Sequence, residues 1–493
     1  MERSSGILLH ISSLPSPYGV GGFGAAAYGF VDFLTVAKQK YWQILPLGPT
    51  SFGDSPYQSF STFAGNPYFI DLDRLAQAGL LRRDELPPAD IGSRAVDYGA
   101  LYENRYGVLR RAYAAARNDR GMRTRLESFA GENAAWLEDY ALFMALKDNF
   151  SGRPWTQWPQ ELRLRQPQAL KSCRRELGED VNFYRFLQML FYEQWDGLRG
   201  YANAHGVRII GDLPIYVPLD SADVWAGAEE FQLDENRLPL AVAGVPPDYF
   251  TADGQLWGNP LYDWAAMAEN GYSWWLRRMA QAARLFDTVR IDHFRGLASY
   301  WSVPFGAETA RQGQWREGPG LDFVSRLRQA FPQLEIIAED LGFLTPDVAR
   351  LVQASGLPNM KVLQFAFDAG EDSNYLPHAY PRECVCYTGT HDNTTVLGWY
   401  EGAAQSDRCF ARRYLALTAE EGINWGFLRG GMGSVADLFV AQMQDYLGLG
   451  DEARMNLPGS IGGGNWRWRM APNEASPALA QRIAELTRTF GRA

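Results

Sequence analysis

Cysteine and histidine are scarce in this sequence: four Cys and five His among 493 residues. Cys173, Cys384, Cys386 and Cys409 form no CxxC pair and no paired zinc spacing. A disulfide scaffold, a zinc ribbon and a CxxC redox centre are therefore excluded, and reduced, unliganded thiols are expected. Cys384 and Cys386 stand two apart, on one face of a strand, where burial in a core accounts for both. Basic tracts are missing as well. With a formal charge of −10 and a pI near 5.2, binding to nucleic acid or to an anionic membrane surface is not expected. No apolar run approaches the ~18 residues a membrane helix needs. Met1–Ser5 leads only to Ile7, Leu8 and Leu9 before His10, too short for the apolar part of a secretory leader. The expectation is a soluble, cytoplasmic protein.

Hydrophobic residues make up 46% of the chain and charged residues 21%, so a large core is available. Eight short apolar runs read as strands: Gly6–Ile11, Tyr41–Pro46, Val207–Asp212, Thr288–His293, Glu335–Asp340, Lys361–Phe367, Cys384–Thr390 and Phe439–Met443. They are nearly continuous rather than alternating, as parallel strands covered on both faces should be. Helical segments lie between them. Phe183, Phe186, Leu187, Leu190 and Leu198 mark a buried stripe that His205-Gly206 closes. Thr345-Pro346 opens another helix with a capping oxygen, and Gly356-Leu357-Pro358 ends it. Pro332 stops the helix before the fifth strand. Eight right-handed strand–helix units predict a closed (β/α)8 barrel of the TIM type, an α/β fold with no separate C-terminal β-domain. The length alone allowed about three average domains. We expect instead one catalytic barrel over 1–493, with a helical insertion at about 75–205 and a loop-rich insertion at about 217–275 containing Pro246-Pro247, Gly254 and Gly258-Asn259-Pro260.

In such a barrel the reactive groups sit at the carboxyl ends of the strands. Those ends carry Asp212, Asp292-His293, Glu339-Asp340 and His391-Asp392. One aspartate at a strand end is an ordinary cap or turn former, but four ends delivering carboxylates to one rim, beside Trp-rich loops, read as a site. Arg290 and Asp292 are two apart and share a strand side, so the guanidinium is expected to depress the Asp292 pKa and keep it ionised. Glu339 follows Ile336-Ile337-Ala338, an apolar approach expected to raise its carboxyl pKa. One depressed and one raised carboxyl is the division of labour of a retaining glycosidase, which sets the pair ~5–5.5 Å apart.

Other motifs fail. Gly19-Val20-Gly21-Gly22-Phe23-Gly24 fits GxGxxG, but Ser12–Tyr18 separates it from its strand and no acid follows at the required offset. Walker A, HExxH and GxSxG are absent. His391 and Asp392 read as sequence neighbours rather than a relay pair. His10, His293 and His391 could meet on a rim as metal ligands, yet the HxH opening typical of such sites is missing. No metal and no cofactor are expected.

With these residues assembled, the chain resembles the 4-α-glucanotransferases (amylomaltases, disproportionating enzymes) of glycoside hydrolase family 77, in the α-amylase clan. The likeness is carried by Gly6–Gly24, by WQILPLGPT with Asp54-Ser55-Pro56-Tyr57, and by GDLPIYV (Gly211–Val217), RIDHFRG (Arg290–Gly296), IIAEDLG (Ile336–Gly342) and YTGTHDN (Tyr387–Asn393). GVPPDYF (Gly244–Phe250), QLWGNPLYDW (Gln255–Trp264), RMNLPG (Arg454–Gly459) and GNWRWR (Gly464–Arg469) are more particular to that family. The resemblance implies that Asp292 is the nucleophile, Glu339 the general acid/base and Asp392 the carboxylate that holds sugar hydroxyls. It implies that Arg290 and His391 flank the sugar, that Asp212 lines it and that Tyr57 stacks on it. It places Asp248, Tyr249 and Phe250 on a mobile loop over the acceptor side, followed by Trp257, and adds Asp368 and Asn465 as sugar contacts. The implied substrates are α-1,4-glucans, with glucose among the acceptors; the oligomeric state stays open. A hydrolase of the same clan and a non-catalytic glucan-binding barrel are the rival readings. GVPPDYF and NWRWR favour transfer, and the intact carboxylate set argues against mere binding.

Overall fold

The computed structural model describes residues 1–493 apart from 52, 91, 248–251, 343–344 and 369–372. Twelve strands are found among the described residues: β1 (Ser4–Leu8), β2 (Tyr41–Gln43), β3 (Arg208–Leu213), β4 (Ala241–Val245), β5 (Gln255–Pro260), β6 (Thr288–Ile291), β7 (Ser299–Pro304), β8 (Gln314–Glu317), β9 (Glu335–Ala338), β10 (Asn359–Val362), β11 (Cys384–Tyr387) and β12 (Leu438–Gln442). Eight of them close a parallel barrel in the order β1-β12-β11-β10-β9-β6-β3-β2. These are the eight apolar runs read from sequence. Their buried residues, such as Ile7, Trp42, Ile210, Val289, Ile337, Val385 and Val440, belong to one continuous core.

The strands stop earlier than their apolar runs. Lys361–Phe367 was expected to be strand throughout, but β10 ends at Val362 and Leu363–Ala366 is a 3-10 turn. Leu363, Ala366 and Phe367 leave the barrel to pack with Val396, Leu415 and Phe427 in a satellite core, which turns the chain. The expected helix Pro346–Ser355 forms and ends at Gly356 in the left-handed region, yet the Thr345 side chain makes no cap. Instead its N-terminus relies on Pro346 at the first turn.

Between β2 and β3 lie the helices Tyr98–Ala116, Arg120–Glu132, Ala134–Asn149 and Gly178–Ala204, among shorter ones. The last of these buries Phe183, Phe186, Leu187, Leu190 and Leu198. It also holds the loop after β2: the Gln188 amide donates to Gly65 O at 2.9 Å and accepts from Gly65 N at 2.7 Å. The stretch expected to be loop-rich contains β4 and β5, which join β7 and β8 in an antiparallel sheet ordered β5-β4-β7-β8. This sheet was not legible as strands because half of it comes from the next crossover, between β6 and β9.

The glycines of Gly19–Gly24 have a packing explanation. A Cβ on Gly21 would sit 1.7 Å from Ile11 O, and one on Gly24 would sit 1.9 Å from Asp71 Oδ2. Close approach of a neighbouring carbonyl and a carboxylate accounts for Gly21 and Gly24, and the left-handed backbone, φ 82°, for Gly19. Among the described residues no helix is long and apolar enough to cross a membrane.

Candidate active site

The barrel register brings the expected residues together. Ile291 pairs with Ala338 across β6 and β9, so the residues that follow, Asp292 and Glu339, leave neighbouring strands side by side. Asp212 pairs with Arg290 across β3 and β6. Arg290 is 3% exposed, and its Nη1 donates to Asp212 Oδ2 at 2.5 Å and to Asp292 Oδ1 at 2.9 Å. Its Nε donates to Met360 Sδ at 3.3 Å, a further contact that orients the guanidinium.

Glu339 is buried, and both of its oxygens accept main-chain donors: His293 N to Oε2 at 2.6 Å and Leu341 N to Oε1 at 2.8 Å. His293 presents that amide from the left-handed region, φ 50°, a conformation a non-glycine residue holds only where its surroundings impose it. Its ring is edge-on to Trp257 at 4.8 Å. The neighbouring Asp340 faces elsewhere and ties down β10, accepting from Met360 N and the Asn359 amide.

Elsewhere on the same rim the Tyr57 hydroxyl donates to Asp212 Oδ2 at 2.7 Å and lies 3.4 Å from His391 Nδ1. The Tyr57 and His391 rings stack at 5.0 Å, and Trp466 leans on both. His391 Nε2 is 3.2 Å from Asp392 Oδ1, so the two touch, contrary to the expectation of mere sequence neighbours. The tight turn after Thr390 brings the ring back over its successor, and the other ring nitrogen meets a tyrosine rather than a nucleophile.

Electrostatics corrects one expectation. Burial raises the Glu339 carboxyl well above its ordinary range, as expected. Burial also raises Asp292, outweighing Arg290, and the charges of Asp212 and Asp392 add to the rise. Arg290 thus limits the shift rather than producing a depressed carboxyl. The Asp292 side chain also keeps 26% of its surface accessible, so water reaches it in the open cleft. The carboxyl held low is Asp392: burial opposes this, but His391 and the Asn456 amide bring it to about 2. Burial and the charge of Asp212 push the Tyr57 phenol up, so its hydroxyl stays a donor.

The remaining expected residues are placed unevenly. Trp257, on β5, overlooks the Glu339 side through His293. The Asn465 amide is engaged within its own loop, accepting from Leu457 N at 3.0 Å and donating to Ser460. Asp368 is exposed at the edge of the described residues. Asp248, Tyr249 and Phe250 lie outside them. Sequence reasoning gave no role to Met360, Arg454, Asn456 or Trp466, although three of the four fall in the quoted motifs RMNLPG and GNWRWR. His10 Nδ1 accepts from Leu45 N, and among the described residues no group of three His, Cys, Asp or Glu side chains is placed to hold a metal ion.

A closed parallel barrel with this carboxylate rim is a TIM-barrel enzyme of the α-amylase kind. A family model described as 4-alpha-glucanotransferase, glycoside hydrolase family 77, matches residues 9–475. The 4-alpha-glucanotransferase of Thermus thermophilus is 49% identical over 502 residues, covering 100% of this chain and 99% of the relative. That of Clostridium butyricum is 46% identical over 490 residues, covering 98% and 100%. The amylomaltase of Streptococcus agalactiae in complex with acarbose superimposes with a TM-score of 0.97 at 39% identity, covering 100% of both chains. The chain belongs to the 4-alpha-glucanotransferase family.

Proposed function

We propose that this enzyme transfers α-1,4-glucan segments between maltooligosaccharides or amylose, with retention of the α-configuration, by double displacement on Asp292 and Glu339. Glu339 gives its proton to the leaving glycosidic oxygen while Asp292 attacks C1, so the C1–O bond breaks as the ester bond to Asp292 forms. The 4-hydroxyl of an incoming glucan then loses its proton to Glu339 and attacks C1, releasing Asp292. Asp392 holds sugar hydroxyls, with Asp212, Arg290 and His391 around the same ring and Tyr57 stacked on it. The helices between β2 and β3, and the sheet carrying Trp257, are read as insertions into one catalytic barrel that shape the cleft.

The observation that carries this reading is the unequal setting of two carboxylates on adjacent strand ends. Asp292 is partly accessible and paired to Arg290, whereas Glu339 is buried and held by two main-chain amides. The accessible group suits attack on carbon, and the buried one suits holding a proton at neutral pH. The partly exposed aromatic rings of Tyr57 and Trp257 offer sugar-stacking faces that favour a glucan over water as acceptor, and the buried Trp466 packs against Tyr57.

Incubation with maltotriose tests the reading. Glucose and longer oligomers should accumulate while total reducing ends stay constant. Reducing ends that rise in step with maltotriose loss would make the enzyme a hydrolase.

A further inference from the structure

Asn456 belongs to RMNLPG, a motif to which the mechanism above gives no task, and its side chain reaches Asp392. Its amide Nδ2 donates to Asp392 Oδ1 at 2.6 Å. A carboxylate can only accept, which fixes the orientation of the amide. His391 Nε2 approaches the same oxygen at 3.2 Å. Two donors therefore converge on Oδ1, and Oδ2 is the oxygen left for a ligand. The Asp392 side chain keeps 42% of its surface accessible, so it is held but not covered.

The main chain repeats the connection. Asn456 N donates to His391 O at 3.1 Å, and Arg454 bridges the two segments, donating to Asp392 O at 2.6 Å and to Asn456 O at 2.7 Å. Asn456 also begins the loop 457–465. Met455 O accepts from Trp466 N at 2.7 Å across the base of that loop, and the Trp466 ring lies 5.8 Å from His391.

We infer that Asn456 is a positioning residue for Asp392, reserving one carboxylate oxygen so that the other meets the sugar in a single orientation. This rests on the reading of Asp392 as the sugar-holding carboxylate. A free carboxylate rotates about its Cβ–Cγ bond and offers either oxygen. One held by a charge-assisted hydrogen bond presents the same oxygen each turnover, and that geometry is spent in the transition state.

Three variants test it on the full chain, with maltotriose as substrate and thermal unfolding as control. Asn456→Ala removes the donor and should lower kcat/KM on the order of 10–100-fold, mainly through kcat, with little change in Tm. Asn456→Asp keeps the shape but sets two carboxylates together. At alkaline pH it should be at least as impaired as the alanine variant. As pH falls, one proton shared between the carboxylates restores the hydrogen bond, and activity relative to the native enzyme should recover several-fold. A role confined to holding the loop would give no such recovery. Asn456→Ala within about threefold of the native enzyme, or Asn456→Asp parallel to Asn456→Ala at every pH, overturns the inference. Asp392→Asn separates the two levels: if it stays active, the reading of Asp392 and this inference both fall. If Asp392→Asn is inactive while Asn456→Ala is not, only this inference falls.

Discussion

The backbone amide of His293 donates to Glu339 Oε2 at 2.6 Å, from a residue held at φ 50°. The end of one barrel strand thereby fixes the carboxyl group of the next. Because the donor belongs to the residue after Asp292, the two carboxyl groups proposed to act in turn are set by one short backbone segment. The left-handed turn is what aims that amide inward, and the His293 ring against Trp257 holds the turn in place.

The pH dependence follows from the raised Glu339 carboxyl. A general acid must be protonated, so kcat/KM should fall as pH rises through its pKa, and that limb should lie near neutrality rather than near the ordinary 4.5. The folded chain holds this proton where the unfolded chain has released it. The group therefore favours the fold fully below its unfolded pKa, and that contribution is lost as pH rises through the folded value. Glu339→Gln removes the titration. The Gln amide nitrogen only donates and meets one of the two main-chain donors, a cost independent of pH, so urea unfolding should find the variant's stability relative to the native enzyme rising from pH 4 to pH 8 by on the order of 1–3 kcal/mol.

Arg290 supplies the countercharge to two carboxylates that are largely buried. Arg290→Met should cost about 3–5 kcal/mol of stability at pH 7, because it strands Asp212 and Asp292 together. The loss should shrink at pH 4, where Asp292 takes a proton. Arg290→Lys should keep more stability yet lose activity by about 100-fold or more, since one ammonium cannot serve Asp212, Asp292 and Met360 at the angles the fork provides. Denaturation at two pH values and steady-state kinetics check both.

Tyr57 separates stacking from hydrogen bonding. Tyr57→Phe keeps the ring on His391 but removes the donor to Asp212 Oδ2. A hydrogen bond to a charged group is worth ~1.5–3 kcal/mol, so kcat/KM should fall about 10–100-fold. Tyr57→Ala should fall further and raise KM, because the stacking face goes as well. Equal kinetics for the two variants would show that the ring contributes nothing.

The barrel was legible because parallel strands buried on both faces read as continuous apolar runs, and eight of them recur with helices between. The carboxylates were legible because a barrel exposes its chemistry where those runs end. What escaped was non-local. The sheet of β4, β5, β7 and β8 draws on two separate crossovers, and no single window shows its pairing. The depressed carboxyl was assigned to Asp292 because Arg290 stands two residues away. Burial, which spacing does not reveal, outweighs that neighbour, and the depressed carboxyl is Asp392, lowered by the adjacent His391 and by Asn456, 64 positions later. Asn465 illustrates the converse: a motif residue whose side chain the fold uses on its own loop.

Trapping the intermediate tests the central claim most directly. Glu339→Gln, given α-maltosyl fluoride, needs no acid to expel fluoride but lacks the base that lets an acceptor attack. It should therefore accumulate a glycosyl adduct, and peptide mass spectrometry should find it on the peptide carrying Asp292, absent in Asp292→Asn. An adduct on another residue would contradict the account, as would fluoride release without an adduct giving β-configured products.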